Sequence, residues 1–291
     1  MNNRAAAGVP EESQVIVVDG VQLAVAREGA GTPVICLHAI GHGGRDFEAF
    51  AAGARDQFEV IRIDWPGQGR SGPDPKPPTP ARYAHLLRGV VVALGLQSPV
   101  IIGCSIGGAA AINYAARFPT RALVLANSGG LVELNASSRR ACLFLSRIFA
   151  AGARRAWWFG TLYALYYRMV LPSKAARAQR RRIVKAGYEC AQTLSDAWAN
   201  FADAKEADQR QAAIALQLPI LVAWAMQDRI NLFNLSKPTI EKMKQAHLSQ
   251  FQGGHAAFLE QPQQFMAEFL RFASQYRLTE ASSPFNKAAN A

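Results

Sequence analysis

The apolar run Val100-Ile101-Ile102-Gly103-Cys104 passes through a single residue, Ser105, into Ile106-Gly107 and the helix-forming segment GAAAINYAAR (108–117). A chain that turns from strand to helix across one residue is strained there, and only small neighbours avoid a clash. Gly103, Gly107 and Gly108 supply those neighbours. The segment therefore predicts a β-strand, a sharp turn and an α-helix, the unit from which a parallel sheet with helices on its faces is built. Further apolar runs support that reading: PVICLH (33–38), EVIRID (59–64), RALVLA (121–126) and PILVAWA (219–225) are near-continuous, as buried parallel strands are. Gln14–Val18 and Val21–Ala26 flank Asp19-Gly20, a hairpin signal. Helical spacing returns over Ala81–Leu94, near Lys237–Ala246 and after Pro262, with a short strand near Leu248–Gln252. The fold class expected is α/β, a mostly parallel doubly wound sheet opened by an antiparallel hairpin, with the core in 14–130 and 217–277.

Between these parts the alternation stops. Residues 131–216 read as helical throughout, an insertion rich in aromatic and basic side chains. The chain of 291 residues carries a net charge of +11, and most of that excess lies in the insertion, where 14 Lys or Arg between Leu131 and Ile214 face 6 Asp or Glu. No nucleic-acid reading motif accompanies the charge, so a nucleic-acid partner is not expected. Residues 1–13 and 278–291 read as loose tails. The start lacks the apolar run of a secretory signal, and no stretch reaches the roughly 18 apolar residues of a membrane span. Four scattered cysteines show no metal-ligand spacing. A cytoplasmic protein with reduced thiols and no metal or organic cofactor is expected.

Ser105 is the candidate nucleophile. A serine hydroxyl needs a base, and the base an orienting acid; on a strand-turn-helix serine these follow in the order acid, histidine. Downstream lie only His247 and His255. His255 comes after the last strand, beyond Gly253-Gly254, at the sheet edge where ligands sit in open α/β sheets, so it is the expected base. Asp228 follows PILVAWA at the same edge and can orient it; Asp203, Glu206 and Asp208 compete from the insertion. Cys104, at the last strand position, is expected to point into the sheet as inert packing. The backbone amide of Ile106, at a helix N-terminus, can stabilise an oxyanion, with a second donor expected from the loop 38–44.

LHAIGHGG, DWPGQGRS, GCSIGGAAAINYAARFP, WAMQDRINLF and GGHAAFLEQPQQF together resemble the α/β-hydrolase superfamily, within its esterase-like group, over about Val15 to Phe272 outside the insertion. The resemblance implies a catalytic triad of Ser105, His255 and Asp228, and an oxyanion hole formed by the amides of Ile40 and Ile106. Ala39 stands where the group usually has glycine. The insertion resembles that superfamily's cap domain, which implies a largely apolar pocket with His38, Ala39, Trp157, Tyr163 and Tyr167 as expected contacts for a small-molecule substrate. Hydrolysis of a carboxylic ester, lactone or related acyl bond is the expected reaction. Carbon–carbon bond hydrolysis, thioester hydrolysis, acyl transfer and a non-catalytic receptor are the alternatives. Interleaved basic and aromatic residues also suggest contact with an anionic membrane surface, and the oligomeric state is left open.

Overall fold

The computed structural model describes residues 12–280. Eight strands form one sheet: β1 (Glu12–Val18), β2 (Val21–Glu28), β3 (Thr32–Leu37), β4 (Phe58–Ile63), β5 (Val100–Cys104), β6 (Ala122–Ala126), β7 (Ile220–Ala225) and β8 (Ala246–Phe251), in the order β1-β2-β4-β3-β5-β6-β7-β8. β1 and β2 are antiparallel, joined at Asp19 (φ 49°) and Gly20 (φ 79°). Two consecutive left-handed residues match the twist of such a hairpin. β2 pairs antiparallel with β4, and every later pairing is parallel. The protein is thus α/β with a mostly parallel sheet. β5, β6 and β7 are buried at every position because helices cover both faces, which is why they read as unbroken apolar runs.

The helices of the core are α1 (Glu48–Ala54), α2 (Pro80–Ala93) and α3 (Ile106–Ala115). Between β6 and β7 come α4 (Ala136–Ala153), α5 (Phe159–Val170), α6 (Arg177–Lys185), α7 (Ala191–Phe201), α8 (Ala204–Ala207) and α9 (Arg210–Ala215), followed by α10 (Phe233–Ile240), α11 (Ala257–Glu260) and α12 (Pro262–Gln275). Side-chain capping explains two of these starts. Thr79 accepts the Arg82 N–H (3.1 Å) with Pro80 in the first turn, and Asn135 accepts the Ser138 N–H (2.8 Å).

Three expectations need correction. The helix expected near Lys237–Ala246 begins earlier, at Phe233, and takes Pro238 into its interior. His247 lies within β8 rather than before it, with its ring against Tyr276. Of the expected tails, 1–11 and 281–291 lie outside the described residues, but Glu12 and Ser13 belong to β1 and Leu278 is buried. After α12, Arg277 turns left-handed (φ 49°), and the Leu278 N–H bonds the Ala273 carbonyl (2.8 Å). This closure ends a helix by folding the next apolar residue back onto it.

Candidate active site

Ser105 connects β5 to α3 with φ 54° and ψ −119°, a conformation costly for any residue with a side chain. Its surroundings hold it there. The Ser105 carbonyl accepts N–H groups from Gly108 (3.0 Å), Ala109 (3.1 Å) and Gly129 (2.9 Å). The two motif glycines exist for lack of space: a Cβ on Gly103 would lie 2.5 Å from the Gly107 carbonyl oxygen, and one on Gly107 would lie 2.4 Å from that of Leu37. Neither neighbour is a side chain that could swing away. Gly107→Ala is therefore expected to destabilise the fold by about 3 kcal/mol, lowering Tm by roughly 5 °C for a chain of this size, measured by thermal unfolding followed by circular dichroism.

The loop after β3 is fastened at three points. The His38 ring is buried; its Nδ1 lies 2.7 Å from the Ala39 carbonyl and its Nε2 accepts the Trp65 N–H at 2.9 Å. Burial lowers its pKa, so the ring is neutral with the proton on Nδ1. The Gln68 side-chain oxygen accepts the Gly41 N–H (2.6 Å), and an Asp64 carboxylate oxygen accepts that of Gly44 (2.6 Å). The DWPGQGRS segment is thereby a brace for this loop. Ala39 is not among the residues with positive φ, so its Cβ costs no backbone strain. The Ile40 N–H donates to no acceptor among the described residues. Ile106 opens α3, where position alone leaves its N–H without a helical partner.

At the opposite side, His255 Nδ1 lies 2.8 Å from Asp228 Oδ2. That carboxylate is held from three further directions: Asn127 Nδ2 donates to Oδ2 (2.7 Å), while Ile230 N–H (2.7 Å) and Asn231 N–H (3.2 Å) donate to Oδ1. Asn127, fully buried and left-handed (φ 44°), also pairs with the Ala225 backbone through both ends of its amide. Asn127 belongs to none of the motifs visible in the sequence. Its signal was an asparagine at the end of a buried strand, adjacent in the sheet to the strand that carries the acid. The His255 N–H bonds the carbonyl of Val170 (2.8 Å), at the end of α5. Glu260 reinforces the junction, accepting the Gly254 N–H and the Ser173 N–H (2.9 Å). Of the competing groups, Asp208 is taken up by Arg210 (2.8 Å). Cys104 is buried at the end of β5, with its thiol against the His255 carbonyl (3.5 Å), and burial pushes its pKa well up.

Ser105, Ile40, Ile106 and His255 line one cavity of about 330 Å³ between the sheet edge and the inserted helices. No hydrogen bond joins Ser105 to His255 among the described residues. The walls are mostly apolar, with Leu145 from α4, Tyr166, Tyr167 and Val170 from α5, and Leu194 and Trp198 from α7. Of the expected pocket residues, Ala39 and Tyr167 face the cavity and three do not. His38 is spent on bracing its loop. Trp157 is 90% exposed on the turn between α4 and α5. Tyr163 is core of the insertion, stacked on Phe159 (5.2 Å) and edge-on to Tyr167 (4.8 Å). A residue not anticipated as lining is His42, whose Nδ1 meets the buried carboxylate of Asp46; the other Asp46 oxygen accepts Arg182 of α6 (2.6 Å). This relay ties the insertion to the loop after β3.

A strand-serine-helix elbow beside a carboxylate-backed histidine on a mostly parallel sheet defines an α/β-fold hydrolase. The chain belongs to the alpha/beta hydrolase family, whose profile matches residues 34–269. Over 126 residues, 43% of its length, it is 29% identical to an uncharacterised protein of Mycobacterium tuberculosis, and this match spans only 37% of that relative. A longer match, 27% identical over 85% of this chain and 93% of the other, is to a protein of Azorhizobium caulinodans named as a carbamate hydrolase, RutD. The fold is similar to that of a thermophilic esterase from Thermogutta terrifontis, with a TM-score of 0.78, 20% identity and coverage of 91% of this chain and 99% of that one. Among the described residues no helix is long and apolar enough to cross a membrane.

Proposed function

We propose that the protein hydrolyses a carboxylic ester, lactone or related acyl bond of a small, largely apolar substrate through an acyl-enzyme on Ser105. The observation that carries this reading is the His255–Asp228 pair (2.8 Å), which opens onto the same cavity as the strained Ser105. In the proposed reaction His255 Nε2 takes the Ser105 hydroxyl proton as Oγ attacks the carbonyl carbon. The amides of Ile40 and Ile106 receive the developing oxyanion. Collapse expels the alcohol, protonated by His255, and water then releases the acid by the same steps in reverse roles. Asp228 fixes the imidazole tautomer and stabilises its charged form, while Asn127 acts as a positioning residue for Asp228.

The lining argues for an acyl or alkyl chain rather than a small polar carbamate. Leu145, Leu194 and Val170 offer contact area and no hydrogen bond to a urea-like group. A panel of p-nitrophenyl esters of rising chain length, set beside the matching thioesters and carbamates, tests this. Medium-chain esters are expected to be preferred; faster turnover of the carbamates would replace the ester reading. Leu145→Trp narrows the cavity where α4 and α7 line it and is expected to lower kcat/KM for the longest good ester by about tenfold or more, while acetate esters stay near wild type.

A further inference from the structure

The outward side of the insertion is basic and apolar at once. From Leu134 to Tyr188 the chain carries 12 Lys or Arg and no Asp or Glu. Arg140 and Arg147 on α4, Arg154 on the following turn and Arg168 on α5 are all exposed. Among them sit large apolar side chains that the fold leaves in water: Leu143 and Phe144 (62% exposed) on α4, Trp157 and Trp158 on the turn, and Leu162 and Leu165 (57%) on α5. Their spacing is helical, with Arg140, Phe144 and Arg147 on one face and Trp158, Leu162 and Leu165 on another, so each helix shows one continuous stripe outward. The α4 stripe borders the residues that wall the cavity, since Ala141 and Leu145 each follow one of its members and line the pocket. Leu232 and Leu235, 41% and 45% exposed, line the same cavity and mark its mouth.

We propose that the face formed by α4, the turn 154–158 and α5 docks on an anionic lipid bilayer. Lipophilic acyl substrates would then reach the cavity from the bilayer; this last clause rests on the acyl-hydrolase reading above, whereas the docking itself does not. The surface chemistry selects this partner. A nucleic-acid polyanion satisfies the guanidiniums but leaves Trp157, Phe144 and Leu165 in water. A second copy of the chain, packed face to face, sets like charges against each other. An anionic bilayer takes both components, phosphates for arginine and the headgroup–acyl boundary for tryptophan and leucine. The contact is peripheral, because no described helix can span.

The test uses the full chain carrying Ser105→Ala, so that binding is read without turnover, and vesicles of phosphatidylcholine with or without phosphatidylglycerol. Co-sedimentation is expected with the anionic vesicles, weakening as salt rises. Brominated lipid is expected to quench tryptophan emission, and the quenching is expected to fall in Trp157→Phe. A triple variant, Arg140→Gln, Arg147→Gln and Arg168→Gln, is expected to lower partitioning by about 100-fold, from roughly fivefold per arginine near such a surface. The same three changes made on the active protein are expected to leave turnover of a water-soluble acetate ester unchanged, which checks folding. Equal binding to neutral and anionic vesicles, or none to either, would overturn the proposal. So would tight binding to duplex DNA that the Trp157→Phe and Phe144→Ala variants retain while anionic vesicles are ignored. Absence of ester turnover in the protein that keeps Ser105, with vesicle binding intact, would count against the acyl-hydrolase reading alone.

Discussion

Replacing Ser105 by alanine is expected to lower ester turnover by about 10⁵-fold or more and to abolish covalent capture by a fluorophosphonate probe. The change is clean for a structural reason. Alanine keeps the Cβ that makes φ 54° costly, so the turn is no more and no less strained than before. The hydroxyl makes no hydrogen bond among the described residues that its loss would leave unpaired. Stability should stay within about 0.5 kcal/mol of wild type, and a thermal melt beside the kinetic assay separates loss of chemistry from loss of fold. The residual rate reports what the oxyanion donors and cavity contribute without a nucleophile. If wild type and variant release p-nitrophenol from a chromogenic ester at the same rate, with no burst in either, Ser105 is not the nucleophile.

Asp228→Asn is expected to cost about 10⁴-fold in kcat, the scale set by loss of the correct histidine tautomer in a triad of this kind. Asp228 accepts from four donors: two backbone N–H groups on Oδ1, and His255 Nδ1 and Asn127 Nδ2 on Oδ2. An asparagine has one oxygen and one NH2. If the oxygen stays with Ile230 and Asn231, the NH2 confronts two donors, and His255 relieves one conflict by moving its proton to Nε2. That nitrogen then faces the cavity already protonated and cannot take the Ser105 proton. Asn127 has no such escape, because its amide is fixed to Ala225 at both ends. The variant should therefore lose kcat far more than it raises KM for a short ester. A change confined to KM would remove Asp228 from the relay and leave it a structural residue.

The parts of the fold that follow short-range rules were readable beforehand. Buried parallel strands announce themselves as apolar runs because both of their faces are covered. The elbow announces itself because backbone crowding admits only glycine at 103 and 107. Asp228 and His255 could be ordered along the chain because β7 and β8 end at one edge of the sheet. What stayed hidden depends on how elements meet in three dimensions. The resemblance offered His38 as a pocket contact, yet its neutral ring is consumed by the adjacent Ala39 carbonyl and by Trp65, 27 residues away, a pairing that no local pattern encodes. Tyr163 and Tyr167 sit four apart on α5, and only the packing of α4 against α5 decides which one the cavity sees. His42 was visible as a histidine, but its relay through Asp46 to Arg182 joins residues 136 positions apart. The boundaries of the tails failed for a smaller reason: Leu278 is drawn back onto α12 by one left-handed residue.

The bond from His255 N–H to the Val170 carbonyl joins the end of α5 to the loop that carries the histidine, and Glu260 clamps the neighbouring strap at Ser173. Any excursion of α5 large enough to widen the cavity must pull on the peptide that aims the imidazole or break its bond. The wall of the cavity and the backbone of the histidine thus share one hydrogen bond, while the ring itself is held separately by Asp228.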